Sequence, residues 1–336
     1  MKVVVLMGEA CPGVTHEELV NRWKTMTERI PAVTELELHP RSEAASGGAL
    51  DGFVGDADAL IGLWIQKDTI SREFLDRHPK LKYIATLAHG YMEFNVPMTR
   101  EKGITITNTV YGDVTIAQFA MALLLDICHD IGAHDAYVRR EYWLEGSTEK
   151  KYTSVKCRQY ELFGKTMGIL GLGAIGYWVA RMAAGFGMKV IAYSRHRKEG
   201  ERYDFIEQVS LEELLARSDV LSLNCPLTSD TRHIINAGSI GKMKDGAILI
   251  NTARGALVDE EALLEALNRR KLYAAGLDVL EQEPPIKPSP LMGCPYCRIT
   301  GHIAWLTAEA RLRSVDLAID NFKSYLAGNP VSVINR

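Results

Sequence analysis

Gly168-Ile169-Leu170-Gly171-Leu172-Gly173-Ala174-Ile175-Gly176 begins about halfway along the chain. It reads as a short apolar strand from Met167 to Leu170, a G-x-G-x-x-G turn, and a helix running through Val179-Ala180-Arg181. The three glycines do different things. Gly171 permits the tight turn, Gly173 lets a pyrophosphate approach the backbone, and Gly176 brings helix and strand into contact. Ala174 and Ile175 open the helix, whose N-terminus offers N–H groups and the positive end of its dipole to phosphates. A glycine triplet alone is a weak signal. Here a strand precedes it, a helix follows, and strands and helices go on alternating, so the stretch predicts a dinucleotide site.

Roughly 165 residues precede the motif, about one domain's worth. The whole chain has 336 residues, so two domains with separate cores are expected. Apolar residues make up 47% and charged residues 24%, ordinary for a globular protein. The net charge of −3 gives no basic surface for nucleic acid or an anionic membrane. Met1–Met7 is apolar but too short for a signal peptide, and reads as a first strand. No segment reaches the roughly 18 uninterrupted apolar residues of a membrane span. The longest apolar stretch, Val114–Ile131, carries Gln118, Asp126, His129 and Asp130. A cytoplasmic location is expected. Six cysteines are scattered (Cys11, Cys128, Cys157, Cys225, Cys294, Cys297), unlike a secreted disulfide framework. Cys294-Pro295-Tyr296-Cys297 has C-x-x-C spacing but precedes a strand rather than opening a helix, and no second pair completes a zinc site. It reads as a loop, and no metal is expected.

Before the glycine motif the pattern gives strands at Lys2–Leu6, near Thr34–Leu38, at Ala59–Gly62, Lys82–Leu87 and Ile104–Thr107. Helices are expected at Thr15–Arg29 and Ser71–Arg77, with a loop at Ser46–Gly48. Asp113 would cap a long apolar helix, Val114–Ile131, buried in a core or between domains. After the motif come strands at Lys189–Tyr193, Val220–Leu223, Ala247–Asn251 and Ala274–Asp278. Helices are expected at Leu211–Arg217 with Ser210 as cap, as a turn around Lys242–Lys244, from Asp259 or Glu260 to Arg270, and at Thr307–Ala327. This alternation describes a parallel doubly wound sheet, in which ligands gather at the carboxyl ends of the strands. Those ends carry Ser194-Arg195, Asn224-Cys225-Pro226, Thr252-Ala253-Arg254 and Asp278.

Three polar residues stand out: Arg254 in Asn251-Thr252-Ala253-Arg254-Gly255, Glu283 before Pro284-Pro285, and His302 in Thr300-Gly301-His302-Ile303-Ala304-Trp305. With Gly171–Gly176, Leu221–Thr231, Lys242–Val258 and Ala274–Pro285, they make the chain resemble the D-2-hydroxyacid dehydrogenase family over nearly its whole length, most closely the glycerate dehydrogenase (hydroxypyruvate reductase) branch. The resemblance implies an α/β protein: a Rossmann dinucleotide-binding domain over 111–303 and a smaller flavodoxin-like substrate-binding domain from 1–110 and 304–336. It implies an oxidoreductase passing a hydride between a nicotinamide cofactor and a small 2-oxo acid, hydroxypyruvate or glyoxylate favoured, and a homodimer built near helix Val114–Ile131. His302 would donate a proton to the ketone oxygen. Glu283 would hydrogen-bond the imidazole, fix its tautomer and keep a protonated acid available near neutrality. Arg254 would grip the substrate carboxylate and carbonyl with paired donors. Asp278 matches a residue that bonds the nicotinamide carboxamide, and Cys225, Pro226, Thr231, Thr252 and Ala253 fall on cofactor-contacting segments. Ala88-His89-Gly90 matches the loop whose backbone binds the substrate carboxylate.

The chain departs from the family pattern at Asn95, where many members carry Asp, and at Gly301, which replaces a common proline. The charged segment Tyr142–Tyr160 matches a variable region near the substrate mouth. Strand two ends in Ser194, followed by Arg195-His196-Arg197-Lys198, where an NAD enzyme would carry Asp or Glu. A hydroxyl and arginines favour a 2′-phosphate, so NADP(H) is expected over NAD(H). A reductase of bulkier branched or aromatic 2-oxo acids, and a dinucleotide-sensing regulatory protein, are the alternatives. Formate dehydrogenase is disfavoured by Glu283, because members with that activity typically carry Gln there.

Overall fold

The computed structural model describes residues 1–44, 49–63, 65, 70–88, 95–142 and 158–335. The chain divides into two compact units, Met1–Gly112 with Leu306–Arg336, and Asp113–Trp305. These bounds lie two residues beyond those read from the sequence.

The first unit holds five parallel strands: β1 (Lys2–Met7), β2 (Glu35–Pro40), β3 (Ala59–Gly62), β4 (Tyr83–Thr86) and β5 (Thr105–Asn108). Their spatial order is β2-β1-β3-β4-β5, the flavodoxin-like order. Strands covered on both faces read as continuous apolar runs rather than alternating ones. Val3, Val5 and Met7 thus pack on one side with Trp23 and Phe322, while Val4 and Leu6 pack on the other with Phe74 and Ile84. Thr15 and Glu18 form a reciprocal cap at the start of helix His16–Arg29.

The second unit holds β6 (Thr166–Leu170), β7 (Lys189–Tyr193), β8 (Glu207–Gln208), β9 (Val220–Leu223), β10 (Ala247–Asn251), β11 (Leu272–Leu277) and β12 (Cys297–Ile299). All pairings are parallel, in the order β12-β11-β10-β9-β6-β7-β8. Counted from β6, this is the Rossmann order 3-2-1-4-5-6 with one strand added beyond the sixth. The direction of winding reverses between β6 and β9, which opens a crevice at the carboxyl edge there. Tyr193, Leu170, Leu223, Asn251, Leu277 and Ile299 lie in one register row. The residues that follow them, Ser194, Gly171, Asn224, Thr252, Asp278 and Thr300, therefore stand side by side along that edge. Helices Asp113–His129 and Ala174–Gly185 cover one face of the sheet. The other face packs on Leu214, Ile240, Leu263 and Leu267.

Several local expectations shift. The helix read as Val114–Ile131 runs Asp113–His129, with Asp113 as its first residue rather than its cap. Asp130 then adopts a left-handed conformation and caps a second helix, Ile131–Tyr137. The turn at Lys242–Lys244 is instead the end of a helix, Ala237–Lys242, whose start is fixed by Asn236 accepting the Gly238 and Ser239 N–H groups. Helix Val96–Glu101 is an element that the sequence pattern does not announce. Asn95, one of the departures from the family pattern, caps it by accepting the Met98 N–H at 3.1 Å. Ser46–Gly48 and most of Tyr142–Tyr160 lie outside the described residues.

Gly168 in β6 shows how tightly this sheet is covered. A Cβ there would lie 2.0 Å from Ser218 Oγ, itself fully buried and bonded to the Leu214 carbonyl. Gly168→Ala is expected to cost about 1–3 kcal/mol through overpacking, read from the urea midpoint at unchanged m-value.

Candidate active site

Gly171 turns the chain out of β6 at φ +99, and a Cβ there would fall 2.7 Å from the Asn224 and Cys225 backbone. Only glycine fits both demands. A Cβ on Gly176 would lie 2.2 Å from the Gly171 carbonyl, which is the helix–strand contact expected of the third glycine. Nothing lies within 4 Å of a Cβ on Gly173, so the space over the helix start is open. Ala174 begins helix Ala174–Gly185, with Ile175 in its first turn.

At the end of β10, Asn251 is almost fully buried and folds its side chain onto the loop that follows. Its Oδ1 accepts the Ala253 N–H at 3.0 Å, and its Nδ2 donates to the Arg254 carbonyl at 2.9 Å. This brace presents Arg254 as a half-buried side chain whose Nη1 donates to the Ala253 carbonyl at 2.7 Å. The next residue is Gly255, where a Cβ would sit 1.9 Å from the Leu280 carbonyl carbon and 2.3 Å from the Glu281 nitrogen. The loop after β10 and the loop after β11 therefore touch backbone to backbone.

The β11 loop carries Glu283. Its Oε1 accepts the Leu280 N–H at 2.8 Å, and its Oε2 meets His302 Nδ1 at 2.6 Å. Burial pushes this carboxyl up, but the His302 hydrogen bond and charge, the Leu280 amide and the positive charge of Arg254 together hold it below the usual carboxylate range. An ionised Glu283 can only accept, so His302 carries its proton on Nδ1 and turns Nε2 to the other side of the ring.

Asp278 holds His302 in place. It is fully buried at the end of β11, and its carboxylate accepts Thr300 Oγ1 at 2.6 Å, the Ile303 N–H at 2.9 Å and the Ala304 N–H at 2.8 Å. Its backbone carbonyl accepts the His302 N–H at 2.7 Å, and Trp305 Nε1 donates to the His302 carbonyl at 2.9 Å. Inside this frame His302 adopts φ +57, a left-handed conformation uncommon for residues other than glycine. Gly301 shows no positive φ and no crowding, so the special backbone falls on the histidine itself. The resemblance assigns Asp278 to the nicotinamide carboxamide; its carboxylate also accepts three donors from the turn that presents His302, with acceptor capacity left on Oδ2.

The remaining residues lie at several places in the two units. Ser194 follows β7 and donates its hydroxyl to the His196 carbonyl at 2.7 Å, closing a turn that exposes Arg195, His196 and Arg197. Cys225 is partly buried, with its thiol pushed up to about 11 by burial, and Pro226 is partly exposed. Thr231 closes its own loop, donating to the Pro226 carbonyl at 2.8 Å and accepting the Thr228 N–H at 2.7 Å. Cys294 and Cys297 are free thiols flanking a turn into β12, and burial drives Cys297 up to about 12. Ala88 follows β4 in the other unit, while His89 and Gly90 lie outside the described residues. Two buried side-chain atoms on the carboxyl edge have no hydrogen-bond partner, Asn224 Oδ1 and Thr252 Oγ1. An orphaned acceptor next to Gly171 and an orphaned hydroxyl one strand further on suit the hydroxyl-rich edge of a bound dinucleotide, since buried polar groups are ordinarily satisfied. Asn251, Gly255 and Asn224 do not stand out in the sequence; an Asn two residues before the amide it caps is the one available signal.

Residues 121–304, more than half of the chain, match the model of the D-isomer specific 2-hydroxyacid dehydrogenase NAD-binding domain. The chain belongs to that family. It is a nicotinamide-dependent oxidoreductase. Among relatives, the hydroxypyruvate reductase of Blautia hydrogenotrophica is 38% identical over 338 residues, spanning all of both chains. The glyoxylate reductase of Thermococcus litoralis is 40% identical over 90% of this chain and 91% of its own. The solved structure of D-2-hydroxyisocaproate dehydrogenase superposes with a TM-score of 0.82 at 25% identity, covering both chains entirely.

Asp278→Asn places an N–H₂ among three donors. It is expected to cost about 1–3 kcal/mol in urea unfolding and, by misplacing His302, about 10²-fold in kcat. Glu283 has a depressed folded pKa, so its ionised form stabilises the fold above the unfolded value of about 4.3. That contribution is lost as pH falls through the folded value. The Tm difference between the wild type and Glu283→Gln is therefore expected to be full at neutral pH, to start shrinking only as pH drops below about 4.3, and to be lost as pH falls through the depressed folded value.

Proposed function

We propose that this dehydrogenase reduces a small 2-oxo acid, hydroxypyruvate or glyoxylate, to the D-2-hydroxy acid with NADPH preferred over NADH. The observation that carries this reading is the 2.6 Å His302–Glu283 pair, with the Arg254 charge acting on the same carboxylate, in a sheet whose winding reverses between β6 and β9. Gly171, Gly173, Ala174, Ile175 and Gly176 would hold the pyrophosphate, and Thr252, Ala253, Cys225, Pro226 and Asn224 the ribose and nicotinamide side. When bound there, reduced nicotinamide supplies the hydride. Arg254 binds the substrate carboxylate and carbonyl through its forked donors and fixes the face presented for reduction. The family resemblance assigns the backbone of Ala88, His89 and Gly90 to the substrate carboxylate as well. His302 delivers a proton from Nε2 to the ketone oxygen as charge builds on it. Glu283 holds the Nδ1 proton, stabilises the imidazolium and keeps the ring oriented. In the reverse direction His302 takes the proton back.

A small substrate is supported by the relatives named hydroxypyruvate reductase and glyoxylate reductase. The preference for NADPH is supported by Ser194 at the end of β7 and by the exposed Arg195 and Arg197, with no carboxylate among residues 194–198. A homodimer built through the unit Asp113–Trp305 and a cytoplasmic location belong to the same proposal. No single described helix is long and apolar enough to cross a membrane.

Initial rates with glyoxylate, hydroxypyruvate, pyruvate, 2-oxoisocaproate and phenylpyruvate, each with NADPH and NADH, test both choices. Turnover confined to the bulky acids would overturn the substrate assignment. Ser194→Asp is expected to lower the NADPH/NADH ratio of kcat/KM at least about tenfold, through repulsion of the 2′-phosphate. An unchanged ratio would reject the cofactor assignment. Arg254→Lys keeps the charge but loses the paired geometry, and should lose about 10²-fold in kcat/KM, measured with hydroxypyruvate.

A further inference from the structure

Arg311 is only 7% exposed, yet among the described residues no carboxylate lies within ion-pair distance of it. Its Nη2 donates to the backbone carbonyl of Glu9 at 2.5 Å, which uses one of five guanidinium N–H groups. Buried arginines are ordinarily paired, because an isolated charge out of water is costly. The neighbouring acids are turned elsewhere. The Glu9 carboxylate accepts the Ser42 N–H at 3.4 Å, Glu309 is exposed, and Asp316 and Asp320 pair with Arg22 and Arg29.

The surroundings add positive potential rather than cancel it. Arg311 lies in the first turn of the 19-residue helix Ala308–Leu326, at the positive end of its dipole. Arg313, two residues on, donates to the Tyr111 carbonyl at 2.8 Å. Tyr111 is 4% exposed, and burial drives its hydroxyl far above the ordinary range against the opposing pull of Arg311, so it stays neutral. The β1 loop lies directly on the guanidinium: a Cβ on Gly8 would stand 3.0 Å from Arg311 Nη2 and 3.1 Å from Leu63 Cδ2. The buried guanidinium, packed under the Gly8–Glu9 backbone with one of its donors on the Glu9 carbonyl, offers its remaining N–H groups to a small oxyanion.

We propose that Arg311, with the Gly8–Glu9 loop, binds a small oxyanion, either a carboxylate such as that of a 2-oxo acid or inorganic phosphate. This site uses residues of the first unit only and does not depend on turnover.

Thermal unfolding of the full chain without cofactor, at fixed ionic strength, tests it with inorganic phosphate and with glyoxylate as separate probes and chloride as control. Wild type and Arg254→Gln are expected to gain about 2–4 °C at saturation with at least one probe, and Arg311→Met to gain nothing. A gain with phosphate alone assigns phosphate, and a gain with glyoxylate alone in Arg254→Gln assigns a carboxylate; either supports the site. An equal gain in Arg311→Met, a gain reproduced by chloride, or no gain in wild type overturns it. If Arg311→Met does not fold, Gly8→Ala serves instead: a weakened gain is expected, and an unchanged one overturns the site. Because Arg254→Gln is the comparison, loss of catalysis alone leaves this result standing.

Discussion

The catalytic end of this chain depends on one buried carboxylate. Asp278 follows β11, next to the edge strand β12, and collects three donors from the turn Thr300–Ala304, while its carbonyl takes the His302 N–H. A fully buried acid survives because every donor around it points inward. The left-handed backbone of His302 is tolerated only inside that frame. The imidazole is aimed by backbone atoms, and Glu283 then needs to supply only the last contact.

The sheet determines what can meet at that point. Parallel strands in register end on one line, so residues from β6, β9, β10, β11 and β12 that are far apart in sequence become neighbours. The winding reverses where Gly171 faces Asn224, and the two unsatisfied side-chain atoms on this edge lie close to that reversal. Charge follows the same geometry. Arg254 and His302 both act on Glu283, so one depressed carboxylate sets the electrostatics shared by the three.

Much of this is legible in the residues. The strands Lys189–Tyr193, Val220–Leu223 and Ala247–Asn251 stand at the bounds read from their apolar runs, because strands buried on both faces leave an unbroken hydrophobic signal. The strand–glycine–helix order is local, and local order is what a sequence displays. Helix Val96–Glu101 stays hidden because six residues beginning with Val96-Pro97 carry no period, only a cap at Asn95. The hydrogen bonds of Asp278 and the backbone contact at Gly255 span more than about twenty residues, and no spacing rule encodes them. Arg311 is invisible for the opposite reason: in Ala310-Arg311-Leu312-Arg313 it looks like any solvated helix arginine, and only the fold buries it.

The contact at Gly255 also bears on how such a protein can change. With the Leu280–Glu281 backbone occupying the place of a side chain, the loop bearing Arg254 and the loop bearing Glu283 cannot be reshaped independently. In a recombination experiment between relatives, the segment from Asn251 through Glu283 would have to cross over as one block. Diversity in what the enzyme accepts would then accumulate in loops outside that block, while Arg254 and Glu283 are inherited together.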